Sequence, residues 1–263
     1  MSNSIVSIYF LLFQADALLI KDIDWCKQPC GNKNHTVCKL GISCPAVKGC
    51  QHANGYDKHM RDLFVDLHNE LRNKVALGEE EGVPRAEDRV ANMMALSWDH
   101  HLEYVARCHN RQCTATRDEC RSTPKFPNVG QNIFSTNISS TTGHSMSSVD
   151  LPKRAITSWF REIEFVPLEV YKRYEKTDLP GEQYTQVVWA KTTHIGCSMS
   201  QKVYANLTQY FVVCNYGAGG NVKGQPIFER GTPCSECQGN SCNRKWAGLC
   251  GDVEFAKKCP CEK

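Results

Sequence analysis

The chain of 263 residues is poor in several things that would otherwise settle its class. Long apolar runs are missing. The one sustained stretch, residues 5–13, falls well short of the roughly 20 residues a membrane helix requires, so no transmembrane segment is expected. Charge of one sign is scarce as well. With 31 basic residues against 28 acidic ones the net charge is +3, and it is dispersed, which argues against nucleic acid as a partner. No G-x-S-x-G stretch offers a nucleophile elbow. Arg230-Gly231 is followed by Thr232, where an integrin loop would need an Asp to meet its metal. Nor is any internal repeat found.

The run that does exist reads as an export signal. It is followed by Ala15-Asp16-Ala17, a small-x-small cleavage pattern, although no Lys or Arg precedes it. Cleavage is expected after Ala17, leaving residues 18–263 with a net charge of +4, since Asp16 is lost. All 16 cysteines follow that point, an even number suited to a disulfide framework in an oxidising compartment. The framework is not needed to replace a core in a chain this long; it serves durability outside the cell. Three sequons, at Asn34, Asn137 and Asn206, fit an exported, extracellular glycoprotein.

Residues 18–55 hold Cys26, Cys30, Cys38, Cys44 and Cys50 without an apolar period, and read as an irregular arm pinned by disulfides. A helix is expected over 57–77, with a stripe of Met60, Phe64, Leu67, Leu71 and Val75, His68 beside it and Gly78 as the stop. A second is expected over 97–110, followed by a loop with Cys108, Cys113 and Cys120 around it. Residues 128–134 read as a turn entering a short strand, and 135–148 as a mobile loop. A third helix starts near Asp150, expected as its cap, with Pro152 in the first turn and Ala155, Ile156, Trp159, Phe160 and Ile163 buried. Residues 184–189, 194–200 and 210–216, rich in Val, Tyr, Thr and Phe, read as strands of an antiparallel sheet. Cys197 and Cys214 fall on successive strands, where a bond would staple the sheet. The tail carries Cys234, Cys237, Cys242, Cys250, Cys259 and Cys261 and little to make a core, so it reads as a small appendage. Helices on both sides of the sheet give an α/β, three-layer α/β/α sandwich. The expected division is a leader at 1–17, an arm at 18–55, a central domain at 56–222 and a tail at 223–263.

Two segments carry a resemblance. Residues 181–192 (GEQYTQVVWAKT) and 211–222 (FVVCNYGAGGNV) are similar to the two signatures of the CAP superfamily. Leu67-His68-Asn69-Glu70-Leu71-Arg72, Val129-Gly130-Gln131-Asn132-Ile133 and Trp159-Phe160-Arg161-Glu162 resemble its other motifs. The N-terminal cysteine pattern resembles the arthropod antigen 5 branch, a group of venom and salivary proteins. That resemblance implies the pairs Cys26–Cys38, Cys30–Cys120 and Cys197–Cys214. It also pairs Cys113 with Cys44 or Cys50, leaving Cys108 for the other, and leaves the six tail cysteines to one another.

The resemblance further implies a cleft where two His and two acidic residues gather and, in some members, bind zinc. Carried over, the four positions are His68, Gln131, Glu162 and Gln183. Two have become amides, so no catalytic residue, cofactor or tight metal is expected, a neutral amide oxygen being a poor zinc ligand. His100, His101, His109 and His194 read as packing or surface residues. The CxxC of Cys234 and Cys237 raises zinc as a rival to bonding, which an oxidising compartment disfavours. The function implied is that of a secreted, monomeric, non-enzymatic effector or allergen. Its partners would be host or other extracellular proteins, or small ligands such as a lipid or sterol. Two rivals stay open: a protease-like hydrolase using His68 and Glu162, with Ser145, Ser147 or Ser148 as nucleophile, and an ion-channel toxin acting through the tail.

Overall fold

The computed structural model describes residues 20–52, 56–80, 89–139, 146–176, 180–237, 239 and 241–254. The leader, its cleavage point, Ser145, Cys259 and Cys261 lie outside the described residues.

A sheet of five strands sits in the middle: β1 (Cys50–His52), β2 (Ser97–Trp98), β3 (Val129–Ser139), β4 (His194–Val203) and β5 (Leu207–Gly217), in the order β1-β4-β5-β3. Those four run antiparallel to their neighbours, and β2 adds a two-residue parallel pairing to β4. Alternation along β5 sorts the layers. The Tyr216 hydroxyl bonds His68 on one face, while Asn215 Nδ2 donates to Leu102 O on the other at 3.3 Å. Helix α2 (Lys58–Leu77) and helix α4 (Asp150–Arg161) therefore cover the first face, and α3 (His100–Asn110) covers the second. Gly196 permits that second contact: a Cβ there would stand 2.1 Å from Glu103 N. The expected three-layer α/β/α sandwich is observed.

Local signals account for the long helices. The Asp57 side chain accepts from Met60 N, and Gly78 closes α2 in the left-handed region at φ 71°. Helix α4 buries Leu151, Ala155, Ile156, Trp159 and Phe160 as one stripe. Its start is held by Ser147 rather than by Asp150, because Asp150 is already helical and its N–H donates to Ser147 Oγ at 3.0 Å.

Several expectations are corrected. Residues 97–98 are strand, not helix; α3 starts two residues later, where Asp99 accepts from Leu102 N at 2.8 Å. Strand β3 runs on to Ser139, through the first part of the expected loop. Residues 184–189 do not form a strand: Glu182–Val187 is a short helix, α6, preceded by α5 (Leu168–Lys172). Nor is the arm irregular. It holds helix α1 (Thr36–Leu40) and strand β1, and Ile20, Ile23, Trp25, Val37 and Cys44 form a second small core with Tyr104, Val105 and Cys108. Such a cluster had no single periodic signature because its members come from short, separate elements of the arm and from α3.

The tail is not peripheral either. Ile227, Phe228, Trp246 and Leu249 are buried in the main core, and Cys250 exchanges backbone bonds with Met93 and Ala95 at 2.7 and 2.9 Å. The bonds formed are Cys26–Cys38, Cys30–Cys120, Cys44–Cys108, Cys50–Cys113, Cys197–Cys214, Cys234–Cys242 and Cys237–Cys250, which selects Cys50 as the partner of Cys113. Among the described residues no cysteine is free and no helix is long and apolar enough to cross a membrane.

Candidate functional site: a buried polar chain

The four carried-over positions do not meet in one cleft. Helix α2 turns an unusual face inward. His68, Asn69 and Arg72 are fully buried, whereas Met60, Leu67 and Leu71 of the expected stripe are only partly so. Every polar atom turned inward therefore needs a partner. Asn69 supplies both of its own, exchanging two bonds with the backbone of Leu96 at 3.0 and 2.8 Å.

His68 lies 2.8 Å from Phe64 O through Nδ1. A carbonyl only accepts, so Nδ1 carries the proton and Nε2 is the acceptor, bonded to the Tyr216 hydroxyl at 2.9 Å. Both ring nitrogens are thus committed. Burial, with Arg72 adding to it, pushes the imidazole pKa down to about 4, so His68 is neutral at physiological pH. Burial raises the Tyr216 phenol, which keeps its proton to donate.

The chain continues across the sheet edge. Asn132 Nδ2 donates to the Tyr216 hydroxyl at 3.3 Å and to Gln183 O at 2.9 Å. Gln183 Oε1 accepts from Ile133 N at 3.1 Å, and its Nε2 donates to Glu162 Oε1 at 2.9 Å. The other oxygen, Glu162 Oε2, accepts from Gly181 N and Gln183 N, each at 3.0 Å. Glu162 and Gln183 are half-buried and joined; His68 reaches them only through Tyr216 and Asn132. Gln131 is not with them. It stands opposite Asn215 in the ladder, and its Nε2 donates to Asn215 Oδ1 at 3.1 Å, on the face covered by α3. The reason is the strand period: Asn132 points toward His68, so Gln131 must point away.

This arrangement does not fit a bound transition metal. A ligand needs a lone pair facing an open position, and the single imidazole has its lone pair on Tyr216 Oη while the Gln183 oxygen holds a backbone N–H. Elsewhere among the described residues, the group with three candidate donors close together is Cys234, Cys237 and Cys250, all in disulfides. His101 packs edge-on to Trp25, and His109 Nε2 bonds Thr116 O at 2.8 Å. His194 Nδ1 meets Thr193 Oγ1, and His100 approaches Glu103. A crevice beside the chain, lined by Val166, Gly181, Glu182 and Thr185, has about 10 Å³, room for one water.

Arg72, Asn132 and Tyr216 were not singled out by sequence reasoning, although each falls inside a quoted motif.

A model of the Cysteine-rich secretory protein family (CAP) matches residues 65–216. Venom allergen 5.02 of Dolichovespula maculata is 35% identical over 79% of this chain and 94% of its own. Venom allergen 3 of Solenopsis invicta is 35% identical over 86% and 97%, and Scoloptoxin SSD976 of Scolopendra dehaani 33% over 77% and 89%. Among solved structures, NaASP2 with Zn2+ is similar at a TM-score of 0.57 and 31% identity, covering 75% of this chain and 98% of that one.

Proposed function

This chain belongs to the cysteine-rich secretory protein family, and from that premise we propose that it is an exported, non-enzymatic effector of venom-allergen type that acts by binding host proteins or small ligands. The observation that carries this reading is the commitment of the polar chain's donors and acceptors to structure. His68 has no free nitrogen, and Glu162 spends both oxygens on three N–H groups. A general base needs a lone pair within reach of substrate, and a hydrolase needs a nucleophile and an oxyanion site beside it. Of the two described hydroxyls offered for that role, Ser147 and Ser148, Ser147 Oγ serves as a helix cap, donating to Asp150 Oδ2 at 2.6 Å and accepting from Asp150 N at 3.0 Å.

The zinc named with NaASP2 is not carried over, because the donor set here lacks its means of holding one. The sequons at Asn34, Asn137 and Asn206 are exposed and would carry glycans on an exported chain. A monomer with its leader removed, recovered from medium, is the expected form. The test is incubation of that protein with peptide and ester panels alongside His68→Ala. Absence of turnover in both supports the binding role; turnover abolished by the substitution overturns it. Capture of a defined host plasma protein by the purified glycoprotein then identifies the partner.

A further inference from the structure

We propose that the groove between β3 and α4 binds an extended sulfated polyanion, a sulfated polysaccharide chain by chemical class. The groove has about 590 Å³ and opens to solvent. One wall is the outward face of α4. Since the helix buries Leu151, Ala155, Ile156, Trp159 and Phe160, its period turns Lys153, Arg154, Thr157, Ser158 and Arg161 outward together.

The three cations are exposed, and among the described residues none has a carboxylate at ion-pair distance, unlike Lys27, Arg117, Arg173 and Lys223, each held by one. The acid in the groove, Asp150, keeps its charge and accepts from Ser147 Oγ, but forms no ion pair with the three cations, so the lining stays net positive. Lys153 and Arg161 are eight residues apart on the helix, about 12 Å along its axis. That is too far for one phosphate or carboxylate and suits a ligand that repeats its charge. Sulfate oxygens accept from the guanidinium forks and from the hydroxyls of Thr157 and Ser158. Phe134 and Thr136 of β3 complete the floor, the ring giving a sugar face an apolar surface.

An acidic peptide adding as a strand fits less well, although β3 is the sheet edge. At Ile133 the outward N–H and C=O are already taken by Gln183 Oε1 and Trp159 Nε1. Farther along the same edge stands the sequon residue Asn137. Its side chain alternates to the face away from Phe134 and Thr136, so a glycan there would crowd a docking strand and leave the groove open.

The inference is independent of the effector role, and is tested by titrating the full secreted protein with a sulfated octasaccharide over a range of salt. Wild type should bind, more weakly as salt rises. Lys153→Gln/Arg154→Gln/Arg161→Gln should weaken binding about tenfold or more and flatten the salt slope by roughly two to three, the counterion-release value for three contacts. Lys33→Gln/Lys48→Gln/Lys191→Gln removes the same charge from exposed sites elsewhere and should change affinity by less than about twofold. Equal losses in the two variants, no binding by wild type, or groove-dependent binding of a poly-glutamate of matched charge at the same affinity would each overturn it. Circular dichroism on both variants confirms that the fold is kept.

Discussion

Glu162 and Arg72 hold opposite ends of the same six-residue helix. At the N-terminus of α6 the Glu162 carboxylate takes the N–H groups of Gly181 and Gln183, the donors that no helical carbonyl can satisfy. Past its C-terminus the Arg72 guanidinium donates to the carbonyls of Val187, Trp189 and Ala190, and also to Met94 and Thr192. Arg72 has no carboxylate among these partners; burial lowers its pKa to about 9, leaving it charged at neutral pH. A helix this short has no stability of its own, so the first family signature depends on tertiary partners, these two side chains among them.

Cutting either tie should therefore cost stability. Arg72→Lys keeps the charge but loses the fork, and is expected to cost about 3 to 5 kcal/mol in urea unfolding. Glu162→Ala, at a half-buried site where water can return, should cost about 1 to 3 kcal/mol. Glu162→Gln should fall between Glu162→Ala and wild type. Unchanged midpoints for Arg72→Lys would refute the clamp.

His68 makes stability depend on pH. Its folded pKa of about 4 lies below the ordinary value of 6.5, so the folded state binds fewer protons than the unfolded chain between those limits. The associated stability is present above pH 6.5 and is lost as pH falls toward 4, on the order of 3 kcal/mol in all. His35, also lowered by burial, acts in the same direction. It accepts the Val37 N–H through Nδ1, a bond that protonation would break. Unfolding midpoints measured from pH 7 to 4 should fall, and His68→Gln, though weaker at pH 7, should show a shallower fall.

The disulfide map is open to direct test. Mass spectrometry of non-reduced peptides should find Cys44 linked to Cys108 and Cys50 to Cys113, not the reverse. Cys44→Ser/Cys108→Ser should lower stability by about 2 to 4 kcal/mol, since it frees a long loop of the unfolded chain and loosens the small core around Trp25.

Because the tail fills the main core, truncation after Val222 should not release a well-folded domain. Trp246→Ala is expected to cost about 3 to 5 kcal/mol, read by denaturant unfolding. A tail that was a mere appendage would give a wild-type midpoint.

By itself the sequence determined the features that depend on near neighbours along the chain. These include the extent of α2, set by apolar period and by Gly78, the buried stripe of α4, and the strands that became β4 and β5. The Cys197–Cys214 staple and the three-layer architecture belong with them. What it could not determine were features whose partners lie far away. Residues 184–187 have the composition of a strand, and it takes tertiary partners, Glu162 and Arg72 at the two ends among them, to hold them as a helix. Gln131 and Asn132 are neighbours in sequence, yet the period of β3 sends one to α3 and the other to Tyr216, so the supposed cleft tetrad separates onto two faces. The tail's isolated Ile227, Phe228, Trp246 and Leu249 show no period of their own. Their burial was decided by the gap that the rest of the fold leaves for them.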